Sequence, residues 1–330
     1  MRIKKFFRRF EERRAVFIGS DISWFTKIWY YIDYLFALIY YGASINDYFA
    51  YGFYKLRHSG RNEYITYRRY HKIMNICNSQ SVIDICRSKL KFNQYFSDYI
   101  GREWIDLNTS SVDEFILFTK KHNSFFVKDI LGYRGIGIKR YESKDIVDLK
   151  KFYNGLLYEK QSYFIIEQPI YQNEELKEFH PWSVNTIRIT TLFDTTNNIV
   201  HFMNALIRMG NKRNSVDNFH FEGIAASIDI ETGIVKTVGY DSNNKTYLTH
   251  PETGKQIIGF HIPYWDDCKT FIEKSARRLP AVRYVGWDLV IKSDNTFCLI
   301  EANDNADHDF QQMYNKGLWQ QYKQILKQIK

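Results

Sequence analysis

The segment GWDLVIKSDNTFCLIEAN, residues 286 to 303, carries the side chains best suited to chemistry. Two apolar runs flank the turn residues Ser293, Asp294, Asn295 and Thr296, which reads as a hairpin. If Asp294 and Asn295 form a two-residue turn, Asp288 lies directly opposite Glu301, with Cβ atoms about 4.5–5.5 Å apart. Asn303, two residues beyond Glu301, projects from the same face. Two opposed acids among Trp, Leu, Val and Ile repel and lose hydration, and a divalent cation cancels both costs. An Asp/Glu/Asn oxygen cluster suits Mg2+, which takes one or two carboxylates beside substrate phosphates. A half-exposed sheet would instead turn these acids to solvent, and spacing alone leaves both readings open.

A second group lies in FFVKDILGYRGIGIKRYE. Lys128 follows three bulky apolar residues in an expected strand, and Gly132, Gly135 and Gly137 fall in the turn after it. Successive N–H groups in such a turn make an anion-binding nest, and a lysine beside it meets phosphate charge. A plain hairpin bend is the simpler account of the glycines taken alone. Neither G-x-G-x-x-G opening a helix nor G-x-x-x-x-G-K-[ST] occurs, so Rossmann and Walker phosphate sites are not supported. Arg188 in SVNTIRITT and Arg208 in NALIRMG sit inside expected strands. Their guanidinium forks match carboxylate or phosphate at two points, and Asn185 adds an amide nearby. Each alone is also an ordinary exposed strand position.

Three regions must position these groups. Residues 1–100 read as a basic, helical N-terminal region, because aromatic and aliphatic residues recur at helical spacing from Trp24 to Leu56. Residues 101–168 read as a small α+β unit. Ser111 with Glu114 forms a capping box opening the helix VDEFILFTKKHN, and FFVKDI, GIGIKRYE and YFIIEQPI read as strands, with a helix over SKDIVDLKKFYNGLLYEK. Residues 169–330 read as a larger antiparallel-sheet unit. Its strands are VNTIRITTLF, IVHFMNALIRM, GIAASIDI and IVKTVGY, followed by a helix from Tyr264 to Leu279, the hairpin, and a helix to Lys330. The fold class is α+β with a helical N-terminal region.

Composition narrows the class further. The 330 residues are 45% hydrophobic and 25% charged, an ordinary globular balance for about two domains. The net charge is +9, but MRIKKFFRRFEERR holds seven basic and two acidic residues, so more than half of the excess is local. Cys77, Cys86, Cys268 and Cys298 lack CxxC spacing, which argues against a zinc site or a disulfide framework and for a reducing cytoplasm. The apolar run Ile28 to Ala43 contains Asp33 and falls short of the roughly 20 residues that cross a bilayer. It begins too late and is too tyrosine-rich for a secretory signal. His220 and Glu222 make an H-x-E without a following P-C-x-x-C, which rejects a zinc deaminase, and neither H-E-x-x-H nor G-x-S-x-G occurs.

In chain order, SKLKFNQYF, FVKDILGYRGIGI, YFIIEQPI, HPWSVNTIRITT, GWDLVI and CLIEAND resemble the ATP-grasp superfamily. Within it they look like the sugar-transfer associated ATP-grasp family, linked to cell-surface polysaccharide biosynthesis such as capsule formation. The resemblance covers about residues 45 to 310 and implies two α+β subdomains holding ATP between them. It implies that Lys89 and Lys128 contact ATP on its phosphate and adenine sides, and that the loop of Gly132, Gly135 and Gly137 closes over the phosphates. Glu167 and Gln168 would form the hinge that reads adenine, and Glu175, with Glu174 as rival, would bind ribose. Asp288, Glu301 and Asn303 match the magnesium ligands, for two ions. Arg188, with Arg208 and Asn185 as helpers, would steady the transferred phosphoryl group or acyl phosphate. Asp129 stands where many relatives have proline, and the loop is poorer in glycine than most.

The resemblance implies a carboxylate–amine ligase joining an amine or amino acid to a sugar carboxylate of a glycan or its precursor. Kinase action on a sugar hydroxyl is the alternative within enzymes. A single-strand nucleic-acid binder is the alternative outside them, motivated by +9 and 57 aromatic residues. The local placement of the charge weighs against that binder. Residues 1–44, basic and then aromatic, fit either a peripheral contact with the inner face of the membrane or a helical cap packed on the body. Acceptor identity and oligomeric state are not legible in the sequence.

Overall fold

The computed structural model describes residues 2–132, 137–158, 163–212, 223–309, 311–314 and 316–329. Gly135, His220 and Glu222 therefore lie outside the described residues.

The chain opens with helices Arg2–Ile18 and Trp24–Tyr41. Ser23 caps the second by accepting a hydrogen bond from Thr26 N at 3.2 Å, and Gly42, at φ 68°, ends it in the left-handed conformation that glycine favours. Phe10, Tyr34, Tyr48, Phe49 and Phe53 make an aromatic core of its own for this region. Asp33, the single acid in the apolar run, turns inward and accepts from Tyr48 Oη and Arg61 Nη2, both at 2.8 Å. Its burial is tolerated because it is paired.

Two sheets follow. The smaller holds β1 (Trp104–Asp106), β2 (Ser124–Asp129), β3 (Ile138–Glu142) and β4 (Phe164–Glu167), in the order β1-β4-β2-β3. Helices Val112–Lys121 and Leu149–Tyr158 pack on it through Phe115, Phe118, Tyr153 and Leu156. The Ser111–Glu114 capping box forms in both directions. Where a single long helix is expected from Ser143, the chain makes a 3-10 turn at Ser143–Asp145 before the helix begins at Leu149.

The larger sheet holds β5 (Thr186–Asp194), β6 (Ile199–Met209), β7 (Ile224–Ile228), β8 (Gly239–Tyr240), β9 (Thr246–Tyr247), β10 (Tyr284–Ile291) and β11 (Phe297–Asn303). Its order is β11-β10-β5-β6-β7-β8-β9, antiparallel throughout. All eight residues of β10 are buried, because both faces of the sheet are covered. Helix Trp265–Arg278, Phe92 of helix Lys89–Tyr95 and Phe96 just past that helix share one core with Trp287. Helix Tyr67–Cys77 and helix Trp319–Gln328 pack with Leu192, Met203 and Tyr284 in another. The helical first 100 residues thus contribute to three cores: the aromatic one takes residues up to the Phe53 region, and those from Ile65 onward join the large sheet.

The N-terminal region is tied to the chain after β11. The Asp47 carboxylate accepts from Ser44 N and Tyr67 N at 2.8 Å and pairs with His308 Nε2 at 2.9 Å. Asn46 bonds Asp309, and Gln312 accepts from Ile65 N at 2.7 Å. Burial disfavours the charged imidazole of His308, but the hydrogen bond and charge of Asp47, with Asp309 and Asp307, raise it above its ordinary 6.5. A raised folded-state value means stability that is complete below the unfolded value and lost as pH rises through the folded one. The melting-temperature gap between the wild type and His308→Gln should therefore be widest near pH 6 and shrink above neutrality. A gap that widens with pH would contradict the ion pair.

Candidate active site

Asp288 and Glu301 do stand opposite one another, by a different route from the one the spacing suggests. Lys292 N donates to Thr296 O at 2.8 Å, so the hairpin loop has three residues, with Asn295 at φ 62° in the left-handed region. That extra residue would shift the register by one. A bulge between Asp288 and Leu289, opposite Ile300, shifts it back. Gly286 then pairs with Asn303, whose Nδ2 donates to Gly286 O at 3.3 Å and to Glu301 Oε1 at 3.2 Å.

The next two strands supply the arginines. Arg188 on β5 pairs with Asp288 in register and grips its carboxylate with Nε at 2.5 Å and Nη2 at 2.9 Å. Arg208 on β6 reaches the same carboxylate with Nη1 at 3.1 and 3.3 Å. Gly286 permits this geometry, since a Cβ there would come within 2.7 Å of Ala306 Cβ and 3.1 Å of Arg188 Cδ. Burial pushes the Asp288 carboxyl up, but the charges of Arg188 and Arg208 hold it well below the usual carboxylate range. Glu301 moves the other way: burial, then the charge of Asp288 and a hydrogen bond with it, raise its carboxyl. Its side chain keeps 43% of its surface open.

These groups form one wall of a cavity of about 380 Å3, which Lys89, Gly132, Arg188, Arg208, Glu301 and Asn303 help to line. Lys89 opens its helix behind the Ser88 cap, and its ammonium donates to Gly132 O. Burial lowers its ordinary basicity, and Glu301 partly restores it. Among the described residues Lys89 makes no ion pair.

Behind the cavity is a second buried ionic centre. Glu167 accepts from Lys128 Nζ at 2.5 Å, Arg102 Nε at 2.8 Å, Arg102 Nη2 at 3.0 Å and Asn93 Nδ2 at 2.8 Å. Burial alone would raise this carboxyl, and the charges of Arg102 and Lys128 hold it well below its usual range. The Glu167 carboxylate is thus occupied within the protein. Gln168 bonds the Glu103 backbone through its N at 2.9 Å and its side chain at 3.1 Å.

Several expected site residues stand elsewhere. Asn185 is fully buried, and its amide donates to Gln172 Oε1, Leu176 O and His180 O, so it braces the chain before β5 and does not line the cavity. Glu175 is exposed on helix Glu174–Lys177 and does not line the cavity either, and Glu174 pairs with Lys177. Gly137, at φ 78°, sits against Asp129, whose N donates to Gly137 O at 3.0 Å. A proline could not make that bond. Sequence reasoning missed Arg87, which grips Asp304 at 2.9 and 3.3 Å, and the buried Arg102. Asp304 stands beside Asn303 in the EAND run, a signal that was available.

The profile of the sugar-transfer associated ATP-grasp family matches residues 111–327. The chain belongs to that family. This ATP-grasp chain has no match among curated proteins. Among solved structures it is similar to the ATP-grasp ligase PsnB complexed with a phosphomimetic variant of minimal precursor, Mg and ADP. That likeness has 13% identity and a TM-score of 0.46, covering 76% of this chain and 61% of that one. D-cycloserine synthetase DcsG gives 10% identity and 0.45, covering 80% and 78%. D-alanyl-alanine synthetase A from Vibrio cholerae O1 biovar eltor gives 11% and 0.43, covering 74% and 65%. The chain spans 53–61% of the length of the PsnB chains. None of these likenesses bears on activity.

ATP-grasp membership implies ATP and Mg2+, and the residues present fit them. Glu301 is half open to the cavity with its carboxyl raised, and beside it stand the oxygens of Asp288 and Asn303, a hard donor set. Among the described residues, no group of three or more His, Cys, Asp or Glu that could hold a metal ion occurs. Asp288→Asn should cost about 3–5 kcal/mol in urea denaturation, because it strands Arg188 and Arg208 without their counter-charge. Glu301→Gln, open to the cavity, should stay near wild type. Equal losses for the two variants would contradict this division.

Proposed function

We propose that the protein is an ATP-dependent carboxylate–amine ligase acting on a cell-surface polysaccharide or its sugar precursor. A substrate carboxylate oxygen attacks the γ-phosphorus of ATP and ADP leaves. The amine then attacks the acyl phosphate, losing a proton, and phosphate departs as the amide forms. Mg2+ supplies charge neutralisation for the phosphates. The observation that carries this reading is the juxtaposition, around one cavity, of Arg188 and Arg208 held by Asp288, with Glu301, Asn303 and Lys89.

The chain's own groups divide the work. Asp288 fixes the orientation of both arginines, so their positive charge would meet developing phosphoryl charge without reorganisation. Lys89 is the cation best placed to bind nucleotide phosphate, since Lys128 is engaged by Glu167. Glu301 and Asn303 would hold the metal. Such chemistry rests on positioning and charge and needs no protein nucleophile. The implied setting is the cytoplasmic side of a membrane, where sugar precursors and ATP meet.

Purified protein should release ADP only when a uronic-acid-type acid and an amine are both present, and Glu301→Ala should abolish turnover. Lys89→Met should raise KM for ATP by about tenfold or more, the value of one charge-assisted hydrogen bond. A stable phosphorylated product that forms without amine would decide for the kinase alternative. Full activity of Glu301→Ala would remove the metal assignment.

A further inference from the structure

The helix Trp24–Tyr41 has its faces reversed relative to an ordinary surface helix. Tyr34, Ala37 and Tyr41 turn to the protein, along with the hydrogen-bonded Asp33. Phe25, Ile28, Trp29, Ile32, Phe36 and Ile39 turn to solvent, with Phe25 78%, Ile32 62% and Ile39 74% exposed. Their spacing of three and four places them on one face, about 21 Å long at 1.5 Å per residue. The two charged residues of the helix, Lys27 and Asp33, fall outside that face. Soluble monomers rarely leave so continuous an apolar stripe open to water.

The neighbouring helix Arg2–Ile18 adds charge to this surface. Phe7 meets the ring of Tyr31 edge-on at 5.3 Å, which places the two helices side by side. Lys4 lies one turn before Phe7 and Arg8, Arg8 pairs with Glu12 at 3.5 Å, and Lys5 and Arg9 are also exposed. Cations thus border an apolar, tryptophan-containing face. No described helix is long and apolar enough to cross a membrane.

We propose that these two helices dock the protein on an anionic lipid surface, with the aromatic face in the acyl boundary and the cations among the headgroups. Aromatic rings favour that interface, and basic residues beside them add attraction to acidic lipid. A second copy pairing through the same face would bring one basic patch toward another, whereas an anionic bilayer complements both the apolar stripe and the charge. The ties from Asp47 to His308 and from Asn46 to Asp309 fix this docking unit to the segment that borders the cavity, so the cavity is carried to the surface with it.

Co-sedimentation of the full chain with phosphatidylcholine vesicles, with and without phosphatidylglycerol, tests this. Binding should require the anionic lipid and weaken with salt. The double variant Lys4→Glu/Arg8→Glu should lower it by about tenfold or more. Ile32→Glu/Phe36→Glu should abolish it, while the circular dichroism spectrum and nucleotide binding stay those of the wild type, since these side chains are exposed. Failure of the wild type to sediment with anionic vesicles, or undiminished binding by Ile32→Glu/Phe36→Glu, overturns the proposal. So does a dimer in analytical ultracentrifugation that Ile32→Glu/Phe36→Glu dissolves, which would assign the face to a second copy.

Discussion

One buried carboxylate organises the catalytic side of this protein. Asp288 lies in the middle of β10, with Arg188 and Arg208 reaching it from β5 and β6 and Glu301 standing across from it on β11. Four adjacent strands therefore converge on one point. A buried charge of this kind persists only if it is paired, and four contacts from Arg188 and Arg208 pair it. The constraint reaches outward into features that otherwise look incidental. Gly286 must lack a side chain for Arg188 to lie across β10, and the bulge at Ile300 must offset the three-residue loop so that Glu301 keeps its place.

A second buried carboxylate joins the two sheets. Glu167 belongs to β4 of the small sheet, and Arg102 binds it while donating through Nη1 to Leu299 O, at 2.7 Å, on β11 of the large one. Asn93 brings in the helix that carries Lys89. Lys128 completes the set from β2. Arg102 and Lys128 are thus neutralised inside the fold before any ligand arrives. The opening impression of a basic protein reduces to a short N-terminal patch and a few cations at one cavity.

The sequence made the sheets legible where bulky apolar runs lie between turn residues, as in β5, β6, β10 and β11. It hid β1 and β9, which have three and two residues and are held by neighbours rather than by propensity. Side-chain placements divided along a physical line. The juxtaposition of Asp288, Glu301 and Asn303 was readable because strand pairing turns spacing into geometry. Asn185 was misplaced because proximity to Arg188 in sequence says nothing about which face of the chain it takes before the strand begins. The pairings of Arg102 with Glu167 and of Arg87 with Asp304 were not readable, since the partners are 65 and 217 residues apart, although Asp304 itself lies in the EAND run.

What distinguishes the cavity electrostatically is its two incompletely matched groups. Glu301 has its carboxyl raised by burial and by Asp288, and Lys89 has its ammonium lowered by burial and by Lys128. In each, burial and a like charge nearby disfavour the group's own charge. A ligand carrying a cation toward Glu301 and an anion toward Lys89 would relieve both at once. Either charge alone would relieve one and leave the other. The proposed pairing of metal and nucleotide fits that asymmetry, since a ligand of mixed charge meets both groups while the arginines stay oriented by Asp288.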